Sequence, residues 1–390
     1  MTQPTTTRIA SIDLLKGLVM VIMALDHVRD YFHYDAFVFD PADPTQSNLM
    51  LFFTRWITHF CAPAFSFLAG LSAYMLSKRK TKGELSVFLI KRGFWLVFAE
   101  LIIIGFGWYF NVHFPVYALS VIWSLGISML VLAALIHLPT AYIGLISLSL
   151  ILFHNLLDNL HFPGSMIWSI LHEQQFYTIS SQIQLMVVYP LIPWIGVMAL
   201  GYCIGSAYQS TVDAQKRKVY FTFLGIISIV LFVILRWTNW YGDPNPFQQY
   251  STISQDLISF FNPSKYPPSL QYLLMTLGAS FLFLAYSEKW KGKVVDFFCT
   301  FGRVPFFYYI LHIYVIHLIA LLFAELSGLG WQKMILSTWI GFEPNLQGYG
   351  FSLWVVYVIW IALILGLYPL CKKFDQYKLD HKEMWWLSYL

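Results

Sequence analysis

The feature that most constrains this chain is a series of apolar runs, each close to the roughly 20 residues a helix needs to cross a bilayer. They fall at about 12–32, 50–76, 87–110, 117–137, 139–157, 181–204, 219–237, 268–287, 304–324 and 350–371. A soluble domain carries about 25% charged residues, whereas 11% of these 390 residues are charged and 58% are hydrophobic. Most of the surface must therefore face lipid, where backbone polar groups have to be satisfied within each helix. The expected fold class is all-α: a polytopic membrane helix bundle of about ten transmembrane helices, forming a single domain over 1–390. The first run is expected to be a retained span. It holds Asp13, Lys16, Asp26 and His27, and no small-residue cleavage site follows.

Charge placement sets the orientation. With the N-terminus inside, one side collects Lys78, Arg79, Lys80, Lys82, Lys91 and Arg92, then Lys216 to Lys218, Lys289 to Arg303, and Lys372 to Lys382. The other side holds few cations, among them Arg29, Arg55, Arg236, Lys265 and Lys333, beside Asp35, Asp40, Asp43 and Asp243. This obeys the positive-inside rule. Merging the two runs that meet at Pro139 would split the basic clusters between sides, so ten spans and two cytoplasmic termini are expected.

The four cysteines, Cys61, Cys203, Cys299 and Cys371, are far apart. Neither a disulfide framework nor Cys/His zinc spacing is indicated, and no metal is expected. P-loop, dinucleotide, HExxH and GxSxG elements are absent, which removes support for nucleotide hydrolysis, hydride transfer and zinc proteolysis. The external loops, about 158–180, 238–267 and 325–349, are rich in Trp, Tyr, Asn, Gln and Pro. They suit a sugar-like ligand and equally an ordinary membrane interface.

Ionisable groups inside spans are costly and mark pathways or sites. In the first helix, Lys16 and His27 are eleven residues apart and share a face, which Asp13 joins, giving a polar stripe about 16 Å long. Asp26 and Asp30 flank His27, and Asp30, three residues on, is expected to reach its ring and fix its tautomer. Arg55 and His59 share a face of the second helix. Glu100 lies inside the third, and His312 and His317 lie on different faces of the ninth. Gly201 and Gly205 read as a small-xxx-small packing contact.

The opening segment RIASIDLLKG (8–17), with His27 eleven residues after Lys16, resembles the Arg/Lys-x10-His signature of the acyltransferase type 3 family. The remainder is similar to bacterial relatives of the heparan-α-glucosaminide N-acetyltransferase catalytic domain family. The segments concerned are ALDHVRDYF (24–32), Phe60 to Gly70, KRGFWLVFAE (91–100), YPLIPWIGVMALGY (189–202), NPSKYPPSLQYLLMTLG (262–278) and FGRVPFFYYILH (301–312). One departure stands. The animal lysosomal member carries a histidine in the loop after this last helix, unmatched here, and an asparagine where this chain has His27.

The resemblance implies an acyltransferase of a bacterial cytoplasmic membrane, fed by cytoplasmic acyl-CoA, chiefly acetyl-CoA, that modifies an amino or hydroxyl group of a sugar-like or glycan acceptor on the far side. His27 falls on the signature histidine and would be the general base, with Asp26 and Asp30 beside it and His312 orienting the site or holding the oxyanion. The CoA phosphates would meet Lys91, Arg92 and Arg303, with Lys16 deeper along the path. Arg236, Trp240, Lys265 and Tyr266 are candidates for the acceptor side. A homodimer is compatible with this reading, and no nucleic-acid partner is expected. Two rivals stay open, a proton-coupled transporter and a non-catalytic glycan- or lipid-linked binding subunit.

Overall fold

The computed structural model describes residues 9–390. Arg8, which opens the motif-bearing segment, and the N-terminal end expected in the cytoplasm lie outside the described residues.

The chain is mostly helical. Helix α1 (Ala10–Phe32) has Asp13 in its first turn and Arg29 in its last, each opposing the local end of the helix dipole. Helix α2 (Leu49–Ser77) begins where the Asn48 side chain accepts from the Leu51 amide, and it tightens into a 3-10 turn at Ile57–Phe60. Pro63 follows that turn. It has no amide to give the carbonyl of His59 four residues back, and the Tyr272 hydroxyl donates to that carbonyl instead, at 2.6 Å.

Helix α3 (82–109) starts on a Thr81/Glu84 capping box and carries a π-helical turn at Ala99–Ile104. That turn aims the buried Glu100 carboxylate at the start of α4 (Val121–Leu135), where it accepts from the amides of Ile122 at 2.9 Å and Trp123 at 3.1 Å. An acid that sequence alone marks as an intramembrane oddity thus serves as the N-terminal cap of a neighbouring helix. Next come α5 (Thr140–Leu157), α6 (Leu191–Tyr208), α7 (Ala214–Thr238), α8 (Leu270–Ser287), α9 (Lys293–Arg303), α10 (Pro305–Leu326) and α11 (Leu353–Asp380).

Seven of these, α2, α5, α6, α7, α8, α10 and α11, are long and apolar enough to cross a membrane. Helices α1, α3 and α4 coincide with three further expected runs, but are respectively charged, π-bulged and short. The amphipathic α9 lies in a stretch read from sequence only as a basic connection.

The all-α expectation needs one correction. Strands β1 (Val116–Leu119), β2 (Gln175–Ser180) and β3 (Ile183–Val187) form a sheet in the order β1-β3-β2, with β1 parallel and β2 antiparallel to β3. Two expected spans therefore begin too early. The run from 117 opens as β1 and turns helical at Val121; the run from 181 opens as β3 and turns helical at Leu191. The physical reason is continuity. Both strands are largely apolar and are separated from the apolar helices that follow by three residues at most, so length and hydropathy alone fuse them.

Helix α1 packs against α2, α8, α9, α10 and α11 at the centre of the bundle. At the periphery α7 presents most of its length outward, its most apolar window being only 17% buried, against 72% for its neighbour α8. Two crossings bring backbone against backbone. A Cβ on Gly17 of α1 would sit 1.8 Å from the Phe298 carbonyl oxygen of α9, and one on Gly302 would sit 1.9 Å from that of Asp13. Likewise Gly70 of α2 meets Met198 of α6 at 1.8 Å, and Gly201 meets Phe67 at 2.0 Å. The expected Gly201/Gly205 packing is present, Gly205 facing Tyr74 of α2. Bulkier residues at these seams would push the helices apart.

Candidate active site

A cavity of about 570 Å³ lies at the sheet-bearing end of the bundle. Helix α1 contributes Met23, Asp26, His27, Arg29 and Asp30, and α2 contributes Arg55, Thr58 and Cys61. The sheet contributes one cross-strand row, Ala118, Met186 and Phe176, which are register partners and so point to the same face. Lys265 and Tyr266 enter from the loop before α8, Tyr309 from α10, and Trp339 from the loop before α11.

The acids and arginines along one wall form a chain. Asp26 pairs with Arg55 of α2 and, at 3.0 Å, with Arg29; Arg29 in turn holds Asp30 at 2.5 Å. All four side chains are less than one-fifth exposed. In so poorly solvated a place each charge needs its counter-ion. Here the sequence expectation is corrected. The recorded partner of Asp30 is Arg29, not the His27 ring, because an adjacent guanidinium attracts the carboxylate more strongly than a neutral imidazole does.

His27 is instead oriented by His312, its Nδ1 lying 2.8 Å from His312 Nε2, with the rings close to parallel. His312 Nδ1 lies 2.9 Å from the Tyr308 carbonyl oxygen. A carbonyl can only accept, so neutral His312 carries its proton on Nδ1 and offers a lone pair at Nε2. That lone pair takes the Nδ1 proton of His27, which leaves His27 Nε2 bare. A backbone carbonyl on α10 thus fixes, through two rings, an unprotonated nitrogen on α1. Trp108 meets the His27 ring edge-on at a centroid distance of 4.9 Å and Tyr309 at 6.2 Å, completing the frame.

The other expected site residues divide. Lys265 and Tyr266 line the cavity, with the Lys265 ammonium over the Tyr266 ring at 5.2 Å. Burial alone would raise the Tyr266 phenol, but the Lys265 and Arg55 charges outweigh it and hold the hydroxyl below its usual range. Arg236 is not on the cavity. Its buried guanidinium donates to the carbonyls of Phe260, Asn245, Ser259 and Asn262, tying down the loop after α7. Trp240 is 83% exposed and lies outside the cavity.

Of the expected donor-side residues, Lys16 donates to Ser72 Oγ at 3.1 Å, and Arg303 holds Asp375 at 2.6 Å and Thr300 at 3.2 Å. Within α3, Lys91 is exposed and Arg92 half-buried. None of the four lines the cavity. His59 stays outside it as well, and His317 faces the carbonyls of Gly107 and Met334. Arg29, Trp108, Tyr309 and Trp339 were missed as site residues by sequence reasoning. Arg29 carried a signal, lying three residues after Asp26 on the face that holds it. The aromatics carried none, in a chain with 19% aromatic residues.

The arrangement offers a tautomer-fixed base, a charge-balanced wall and an aromatic rim around a cavity large enough for a small polar molecule. A family model described as heparan-alpha-glucosaminide N-acetyltransferase, catalytic, matches residues 8–240. The match takes in His27, Arg55 and the sheet, and ends before Lys265 and His312. No curated protein matches the chain.

Proposed function

The chain belongs to the heparan-alpha-glucosaminide N-acetyltransferase catalytic family, a group of membrane transferases, and from that premise we propose that it moves an acetyl group from acetyl-CoA to a sugar-like acceptor. The observation that carries this reading is the His27–His312 pair, which leaves Nε2 of the cavity-lining His27 unprotonated. The acceptor, an amine or hydroxyl, lies in the cavity among Tyr266, Lys265 and the aromatic rim. Its proton passes to His27 Nε2 as its nitrogen or oxygen attacks the thioester carbonyl. When the carbon–sulfur bond breaks, the CoA thiolate takes that proton back, leaving acetylated acceptor, free CoA and His27 as before. The Nδ1–H to His312 bond persists in both protonation states, so the ring keeps its orientation throughout.

In this reading α1 to α8, α10 and α11 form ten spans. The basic clusters around Lys78–Lys82, Lys216–Lys218 and Lys289–Arg303 support a cytoplasmic position for that end, in a membrane read as a bacterial cytoplasmic one. Acetyl-CoA approaches from the basic end, where Lys91, Arg92 and Arg303 attract its phosphates, with Lys16 on the same face of α1 as His27. The carboxylates of Asp26 and Asp30 balance the arginines beside the acceptor rather than moving protons.

The test uses purified full-length protein, acetyl-labelled CoA and a panel of amino sugars, read as free CoA and labelled product. His27→Asn keeps hydrogen-bonding capacity but cannot take a proton, so turnover should fall by about 10²–10⁴ with donor affinity unchanged. A folded His27→Asn protein with near-normal turnover would remove His27 from the chemistry. No CoA release from any acceptor, with the acceptor carried across vesicles unmodified, would replace the transferase with a transporter.

A further inference from the structure

Away from the cavity, at the sheet-bearing end of α5, His154, Asp158 and His172 offer three ligand atoms that all lie within 4.8 Å of one another. We infer that this cluster is a binding site for a zinc-class transition-metal ion, a site independent of the acyl-transfer chemistry.

The first reason is an accounting of polar atoms. His154 is 2% exposed, and neither of its ring nitrogens has a hydrogen-bond partner among the described residues. His172 is 3% exposed, and the one partner of its Nε2 is Asp158 Oδ1. Buried polar atoms are nearly always satisfied, so an imidazole stripped of water at both nitrogens points to a group that supplies the missing bond. Packing does not supply it: the His154 ring meets the His172 ring edge-on at 5.7 Å, and the Trp168 ring lies tilted against His172 at 5.5 Å.

The second reason is shape. His172 Nε2 and Asp158 Oδ1 are in hydrogen-bond contact at 3.0 Å, a contact that an ion seated between them would replace. Two ligands of a tetrahedral ion with bonds of about 2.0–2.1 Å are separated by roughly 3.3 Å, so this edge is already near the required length. The second Asp158 oxygen accepts from Asn155 Nδ2 at 2.8 Å, an outer bond of the kind that holds a ligating carboxylate in place. Two imidazoles and one carboxylate favour zinc or a neighbouring first-row ion over calcium or magnesium, which require oxygen ligands. Asp158 remains 14% exposed, so water can fill the fourth position and the ion can enter past it.

Sequence gave little warning, because the order His-x3-Asp-x13-His matches no common ligand spacing and the expectation was of no metal. The third ligand arrives only when the turn after α5 folds back under the short helix Met166–Leu171. A bound ion would clamp that fold. It would also be linked to α8, since Asn155 Oδ1 accepts from the Leu270 amide at 2.9 Å, just beyond Lys265 and Tyr266.

The test is metal content of the tag-free, full-length protein in detergent, after incubation with zinc sulfate and removal of loose ions. About one zinc per chain is expected, lost in Asp158→Asn and His172→Gln and kept in His161→Gln, a nearby exposed histidine paired with Glu173. Asn155→Ala should weaken zinc binding by about 10–100-fold. Cobalt loading of the wild type gives a readout that needs no variant, the visible absorption of a tetrahedral ion. Zinc-free wild type without that cobalt absorption would overturn the site, as would folded Asp158→Asn and His172→Gln proteins that bind zinc as the wild type does.

Discussion

His27 depends on His312 for more than position. The His312 Nε2 lone pair is what obliges His27 to keep its proton on Nδ1. Glutamine at 312 can still accept that proton through its side-chain oxygen, whereas leucine cannot. His312→Gln should therefore retain more turnover than His312→Leu, the latter losing roughly tenfold or more in kcat with donor KM unchanged. Equal losses in the two variants would reduce His312 to packing. Both histidines were legible one at a time, as ionisable groups in apolar runs. Their bond was not, because it joins residues 285 apart and no local spacing encodes it. The same holds for Arg55, which finds Asp26 only when α2 crosses α1, and for Arg236, since an arginine at a helix end reads alike whether it meets ligand or carbonyls.

A second residue makes a pH prediction. Just beyond α1, His33 is buried and its Nδ1 accepts from the Asp35 amide at 3.2 Å. Burial, helped by the Arg29 charge, lowers its pKa to about 4. The unfolded chain takes up that proton near pH 6.5, so the contribution is fully present above about pH 6.5 and is lost as pH falls towards about 4. The thermal midpoint of the wild type should drop across that window, and that of His33→Gln should drop less. Parallel curves would mean that other groups carry the acid sensitivity.

At the scale of elements, the helix crossings are where a single methyl group matters. Gly201→Ala drives a Cβ to 2.0 Å from the Phe67 carbonyl oxygen and should cost about 1–3 kcal/mol. Gly366 of α11 has nothing within 4 Å of its would-be Cβ, so Gly366→Ala should instead be neutral or stabilising by up to about 1 kcal/mol. Thermal midpoints in one detergent compare the two, and a Gly201→Ala protein as stable as wild type would mean that α2 and α6 can move apart freely. Helix positions were legible because α2, α5, α7, α8, α10 and α11 each follow a long apolar run. The strands were not, since Val116–Leu119 and Ile183–Val187 look from sequence like the first turns of the helices they precede. The cavity-lining Ala118 and Met186 were hidden for that reason.

For the whole molecule, the reading requires ten crossings and a cytoplasmic C-terminus. A reporter fused after Leu390 should behave as cytoplasmic, and one inserted near Asp43 as external. A fusion reporting an external C-terminus would undo the orientation and with it the donor route. The positive-inside pattern made this expectation available from the sequence, whereas the central place of α1, despite the charges along it, emerged only once the surrounding helices were in position. The counter-ion chain on α1 also bears on how the protein responds to an electric field. Arg29, Arg55, Asp26 and Asp30 sum to zero formal charge, so a transmembrane voltage does little net work on them. The proton that visits His27 adds little to this, because in the proposed mechanism it comes from the acceptor in the cavity and leaves on the CoA thiol, a short displacement within the site. Moving one elementary charge through the full field is worth about 2.3 kcal/mol per 100 mV, and so local a shift feels only a small fraction of that. Turnover in sealed, energised vesicles should thus be nearly indifferent to the sign of the voltage; a marked rise for one polarity and fall for the other would mean that the histidine draws its proton from the water on one side instead.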